Sequence, residues 1–480
     1  MWIPGQFEPV PNPYGWTNLT NVVWIEQPVS TGYSQGKANA TSEADVAAQF
    51  NGFWKNFVDT FSLKNKKVYV TGESYAGMYV PYIADAMIAE RTKCNDTTYF
   101  DVNGIMIYDP SIGEDAITEQ VPTMAFVDHH RQLFPFQDDF YQYLKNMSST
   151  CGYDKFMSDG LTFPPKGPQP SAPGMRLQNV TGPNGTIAVV PFTDDSCDIF
   201  DAVFRKIFDL NPCFDIYQVS QICPLLWDVE GFPYSRMYLP PGYENPYFNR
   251  TDVKTALHAP LDANWGICNG DPFPGPLGDQ SPPSGVNGGP LQRVVEATNN
   301  VIVGHGLMDM VLISNGTLLT LQNLSWNGAQ GFSKPPVQPF YVPYHRERSH
   351  EIMGGQGVLG RWTSDRGMTY VEVELAGHMI PQFAPSSAYR HLEVLLGRVA
   401  NLSTVSSFTT QPQFKQPTAK QAFLGYGGGN VDGVTEAELG LGTGKLGFIE
   451  GRMGSAPIKQ INRGRKVRRG KEPDFCATCL

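Results

Sequence analysis

The chain has 480 residues, 41% of them hydrophobic and 17% charged, which excludes a largely disordered protein and leaves room for one large domain with insertions or for two domains. Its formal net charge of −10 argues against nucleic acid as the main partner. No apolar run is long enough to cross a membrane, so no membrane partner is expected either.

In chain order, Val22-Val23-Trp24-Ile25 reads as a buried strand. Ser42-Glu43-Ala44-Asp45 reads as a helix start, a hydroxyl cap with a carboxylate three residues on. A helix follows to about Phe61, with Val46, Phe50, Phe53, Trp54 and Phe57 on one face. Val68-Tyr69-Val70 is a strand that runs into Gly72-Glu73-Ser74-Tyr75-Ala76-Gly77, and an apolar helical stretch comes next. Val102 to Tyr108 is another strand. This alternation predicts an α/β architecture with a mostly parallel sheet. From about residue 113 to 288 the rhythm breaks into proline and aromatics, as in Phe163-Pro164-Pro165-Lys166-Gly167-Pro168, and the segment reads as an inserted cap. Rhythm returns at Asn300 to Gly306 and at Thr369 to Leu375. The expected division is therefore 1–112 and 289–400 for the two parts of a core, with 113–288 between them. Residues 401–480 are polar and glycine-rich, with a basic run from Arg463 to Lys471, and read as a flexible charged tail.

N-x-S/T sequons occur at Asn18, Asn39, Asn95, Asn146, Asn179, Asn184, Asn249, Asn315, Asn323 and Asn401. Chance would give about a third as many, which favours a glycosylated protein of the secretory pathway, secreted or vacuolar. The close spacing of Cys197, Cys213 and Cys223 suits a disulfide-stapled region. Met1 to Gln6 has no basic start and no apolar core, so no signal peptide is legible there. Cys476 and Cys479 form a C-x-x-C with no second pair and no nearby histidine, so neither a metal site nor a cofactor is expected.

Why would a serine sit between two glycines where a strand becomes a helix? A serine hydroxyl is a poor nucleophile until a base takes its proton. A sharp strand-to-helix turn lifts it to where a base can reach, and Gly72 and Gly77 tolerate the crowding. The backbone N–H of Tyr75, at the helix start, is suited to an oxyanion. The partners expected for Ser74 are Asp309, just past the Val301 strand, and His378, just past the Val371 strand. Both would emerge at the carboxyl edge of a parallel sheet, where α/β sheets carry their sites. In this order, His378 is the base and Asp309 orients it. His305 is a rival that is expected to pack or hydrogen-bond locally.

Gly72 to Gly77, Asn21-Val22-Val23-Trp24-Ile25-Glu26-Gln27-Pro28-Val29 after Asn12-Pro13-Tyr14-Gly15-Trp16, Asp309, Gly377-His378-Met379-Ile380-Pro381 and Tyr247 to Val253 together resemble the serine carboxypeptidases, enzymes of the α/β-hydrolase fold. The likeness spans about residues 5–400, and its details resemble secreted fungal members. It implies release of C-terminal residues from peptides through an acyl-enzyme. It also implies that Glu73 helps to hold the substrate's terminal carboxylate and that Met379 borders the pocket for the departing residue. Two carboxylates that close pair only when one is protonated, so an acidic pH optimum is expected. The family's W-x-N-G-G-P-G-x-S-S stretch, with a second oxyanion donor, has no counterpart here. Asn287-Gly288-Gly289-Pro290-Leu291 is a near match in the wrong place. The resemblance therefore implies a truncated chain that lacks its first strands and oxyanion loop, with Cys268 short of a partner. Alternative readings are a carboxypeptidase-like acyltransferase with the same triad, or a non-catalytic binding fragment.

Overall fold

The structure is a computed structural model that describes residues 11–181, 187–221, 223, 246–266, 272–343 and 355–411. They all belong to one compact unit; a second unit, Leu424–Thr478, lies outside the described residues, as do Cys268, the C-x-x-C pair and the basic run.

The strands are β1 (Lys67–Glu73), β2 (Asp101–Tyr108), β3 (Met175–Thr181), β4 (Ile187–Thr193), β5 (Val301–Gly306), β6 (Ser325–Trp326), β7 (Ala329–Gln330), β8 (Gln338–Val342), β9 (Gly357–Asp365) and β10 (Met368–Val373). Six of them form the main sheet in the order β1-β2-β5-β10-β9-β8. The pairs from β1 to β10 are parallel; β10 with β9, and β9 with β8, are antiparallel. Gly304 faces Tyr108 across β2 and β5, and Gly306 faces Val373 across β5 and β10, so the strand ends line up.

Strands covered on both faces should be apolar on both, and β5 is buried at every position. Alternate side chains divide between two cores. Ile105, Ile107, Val301 and Val303 meet Val80, Ile83, Ala84 and Met87 of the helix Ala76–Cys94. Met106, Tyr108, Ile302 and Val371 meet Tyr389, Leu392 and Leu395 of the helix Pro385–Leu395. The helix Glu43–Thr60 begins where its cap predicts: Ser42 Oγ accepts the Asp45 N–H at 3.3 Å. Its face is less buried than the pattern implied, since Phe53 is exposed while Val46 is buried.

Val22–Ile25 does not form the expected strand. Val23 is 40% exposed and Trp24 76% exposed. A strand needs a neighbour to take its backbone groups, and among the described residues β1 pairs only with β2. Apolar composition alone supplies no such neighbour.

Within 113–288, Val121, Met124, Phe134, Leu144, Phe156, Val203 and Phe214 pack together in a core completed by Met310, Ile313 and Leu319. Two disulfides staple this stretch, Cys151–Cys197 and Cys213–Cys223. No helix of the described residues is long and apolar enough to cross a membrane.

Candidate active site

Each of four neighbouring strands ends in a residue with a reactive or titratable side chain: Ser74 after β1, Asp109 after β2, Asp309 after β5 and His378 after β10. Backbone hydrogen bonds stitch these ends together. Ser74 N–H donates to the Tyr108 carbonyl at 2.9 Å, Ser111 N–H to the Ser74 carbonyl at 3.0 Å and Asp109 N–H to the Gly304 carbonyl at 2.8 Å. Met308 N–H donates to the Ala376 carbonyl at 2.9 Å, which ties the Asp309 turn to the His378 turn.

Ser74 sits at φ 65°, a left-handed conformation that is uncommon for a residue with a side chain. Such local strain persists only where the surroundings impose it. Here Gly77 does so, because its backbone lies against the next loop: a Cβ there would stand 2.5 Å from the Ser111 carbonyl oxygen and 2.7 Å from its nitrogen. At Gly72 a Cβ would stand 2.4 Å from that of Ala76. Both glycines are needed for close approach, as the spacing predicted.

His378 and Asp309 are fully buried, and Ser74 is 5% exposed. His378 Nδ1–H donates to Asp309 Oδ2 at 2.7 Å. Asp309 Oδ1 accepts the Val311 N–H at 2.7 Å, so the carboxylate is held at both ends. The backbone and ring are held too: the His378 backbone N–H donates to the Tyr217 carbonyl at 2.8 Å, and the Tyr217 ring stands edge-on to the imidazole at 5.4 Å. Burial pulls the imidazole's pKa down, but the Asp309 charge and hydrogen bond, with Glu73 and Asp215, outweigh it and hold it above the ordinary histidine value. Ser74 Oγ and His378 Nε2 are both buried with no hydrogen-bond partner among the described residues. Catalytic contacts are often unmade before substrate binds.

The Tyr75 N–H, at the start of the helix Ala76–Cys94, donates to no acceptor among the described residues. Its phenol points elsewhere, to Asp279 Oδ2 at 2.8 Å. Glu73 is half-buried at the end of β1, opposite Tyr108, and its charge reaches His378. Met379 is buried beside His378 at the start of the turn Ile380–Phe383. Gly289-Pro290, the near match to the family's glycine loop, is the start of the helix Pro290–Thr298, with proline in the first turn where it needs no N–H.

His305 hydrogen-bonds locally, as expected: Nε2–H donates to the Leu312 carbonyl at 2.5 Å. Burial lowers its pKa to about 4, so it is neutral. The sequence reading missed Asp109. One oxygen of Asp109, one of Asp309 and one ring nitrogen of His378 lie within 4.8 Å of one another, all buried. The signal was available, since Asp109 follows a buried strand just as Asp309 does.

The profile of the serine carboxypeptidase family matches residues 3–398. A probable serine carboxypeptidase of Arthroderma benhamiae is 48% identical over 413 residues, 84% of this chain and 73% of that protein. The serine-type carboxypeptidase F of Aspergillus niger is 42% identical over 416 residues, 83% of this chain and 73% of that protein. The crystal structure of a prohormone-processing carboxypeptidase from Saccharomyces cerevisiae covers 81% of this chain and 76% of its own, with a TM-score of 0.57 at 19% identity. That likeness shows the fold, an α/β hydrolase. The chain belongs to the serine carboxypeptidase family.

Proposed function

We propose that the protein removes the C-terminal residue of peptides through an acyl-enzyme on Ser74. The observation that carries this reading is the buried 2.7 Å His378–Asp309 pair on the same sheet edge as the strained serine turn.

His378 Nε2 takes the Ser74 proton as Oγ attacks the scissile carbonyl. The Tyr75 N–H receives the developing oxyanion. Asp309 keeps the Nδ1–H tautomer and stabilises the imidazolium. His378 then gives its proton to the departing amine, and water repeats the sequence on the ester. Glu73 pairs with the substrate's terminal carboxylate when it carries a proton, and Met379 borders the pocket for the departing residue. Protonating Glu73 also removes one of the charges that holds a proton on His378. Mild acid therefore serves both binding and catalysis. Residues 113–288 act as a cap over this edge, supported by Tyr217, which holds His378 from that segment. Two disulfides and exposed sequons at Asn18, Asn95, Asn146 and Asn179 support a secreted or vacuolar location.

The test is stepwise release of C-terminal residues from a peptide by the purified chain, with Ser74→Ala as control and a fluorophosphonate probe to label Ser74. Release that survives Ser74→Ala sinks the reading. Acyl transfer to an added alcohol without peptide hydrolysis would favour the acyltransferase instead.

A further inference from the structure

We propose that Asp109 stands as a neutral carboxylic acid that donates its proton to the Asp309 carboxylate, and so acts as a positioning residue for the Asp309–His378 pair. This rests on the triad reading above.

Two carboxyl groups meet in a space with no solvent exposure. Each would need a compensating partner to stay ionised there. Asp309 has one, the His378 N–H. Asp109 has half of one: Oδ1 accepts the Gly306 N–H at 2.7 Å, while buried Oδ2 meets no donor among the described residues. The other groups facing Asp109 supply no cation. His305 Nε2 stands 3.5 Å from Oδ1, but it spends its proton on Leu312 and is neutral. Glu73 from β1 adds negative charge, and the phenols of Tyr108 and Tyr370 add none. His378 pairs with Asp309, and Glu119, which burial raises to about 8, supplies no cation either. Only a proton between the two carboxyls settles the pair. Burial, then the Asp309 charge and the Glu73 charge, hold Asp109 well above the usual carboxylate range despite the Gly306 N–H.

The consequence is directional. With Oδ1 on Val311 and Oδ2 on His378, Asp309 is gripped from its own turn and from β10. Asp109 adds a grip from β2. A donor there also draws charge from Asp309, so the imidazolium is stabilised less than by a bare carboxylate.

The test compares Asp109→Asn and Asp109→Gly with the unaltered full chain. Asp109 sits at φ 42°, which asparagine and glycine tolerate, so neither change adds backbone strain. Asparagine keeps an acceptor for Gly306 and a donor for Asp309; glycine keeps neither. Glycine is expected to lower kcat on the order of tenfold or more, from one unmade buried hydrogen bond, and asparagine to restore most of it. The acid limb of kcat/KM should stay within about 0.3 pH unit in Asp109→Asn, because no charge is removed, and move up in Asp109→Gly. A fall of about one pH unit in Asp109→Asn would mean that a negative charge had been removed beside His378, and would overturn the proposal. Infrared difference spectra between the unaltered chain and Asp109→Asn, which need neither activity nor the glycine variant, should show one protonated carboxylic C=O band at neutral pH. Absence of that band overturns the proposal even if Ser74→Ala abolishes activity; activity that survives Ser74→Ala with the band present overturns only the triad reading.

Discussion

Replacing Asp309 by asparagine tests the geometry at its most constrained point. Oδ1 accepts the Val311 N–H at 2.7 Å and Oδ2 accepts the His378 Nδ1–H at 2.7 Å. An amide has one acceptor and one donor end. The acceptor end is required by the Val311 N–H, which cannot turn away, and Asp109 offers a donor from the other side. The NH2 therefore faces His378. The imidazole must then accept at Nδ1 and carry its proton on Nε2, the nitrogen that should take the proton from Ser74. The nucleophile is left with no base. For an intact site in the wrong tautomer the loss in kcat is about 10⁴, or about 5.4 kcal/mol of barrier. The side chain is nearly isosteric and loses a buried charge, so folding should change little. The assay is kcat for release of the C-terminal residue, run beside a thermal melt. A folded Asp309→Asn enzyme that keeps more than about a tenth of the original kcat would refute the argument.

Glu73→Gln removes a charge that raises the His378 pKa, so the acid limb of kcat/KM should move to lower pH, and because glutamine stays a neutral donor, KM for free-acid peptides should no longer rise with pH; a KM that still rises with pH would count against its carboxylate role. Gly77→Ala places a methyl 2.5 Å from the Ser111 oxygen and 2.8 Å from Pro110 Cβ, and should lower stability by about 1–3 kcal/mol in denaturant titration, with no change as the contrary result. Stability should fall as pH rises above about 6.5. Glu372 is raised to about 7 and Glu43 to about 9, each mainly by burial, so each adds stability that is full below the ordinary value of 4.5 and lost as pH climbs to the folded one. Each contributes a slope of about 1.4 kcal/mol per pH unit in its window. His305 at about 4 and His391 at about 3 act the other way, losing stability as pH falls below 6.5, so they offset the carboxyls only in acid. A Tm that is flat or rising between pH 7 and pH 9 would contradict this balance.

Local signals carried much of the site. The Ser42 cap, the period-2 alternation that sorts Ile105 and Ile107 from Met106, and the glycines around Ser74 all act over a few residues, and each is legible where it acts. Asp309 and His378 were legible because a polar residue just past a buried run must emerge at the sheet edge. Val22–Ile25 failed for the opposite reason. Its composition suits a strand, but strand formation depends on a neighbour that composition does not name. The cysteines were likewise half-legible: Cys213 and Cys223 pair as neighbours, whereas Cys197 takes Cys151 from a sequence separation of 46 residues.

Asp109 shows where that limit bears on chemistry. Beside Tyr108 and Pro110 it looks like the start of a turn, and asparagine or aspartate there would be unremarked. Its meaning comes from register. β2 lies between β1 and β5, so the residue that follows Tyr108 must fall between the Ser74 turn and the Asp309 turn. Once there, with Gly306 N–H on one oxygen and Asp309 against the carboxyl, an ionised side chain would add a second negative charge to a space already holding one. A proton is the smallest thing that relieves it. The proposed triad is legible as three residues in sequence order, but the charge balance that sets the basicity of His378 belongs to four strand ends, and although the fourth is marked by its place after a buried strand, its neighbours are known only from the sheet order.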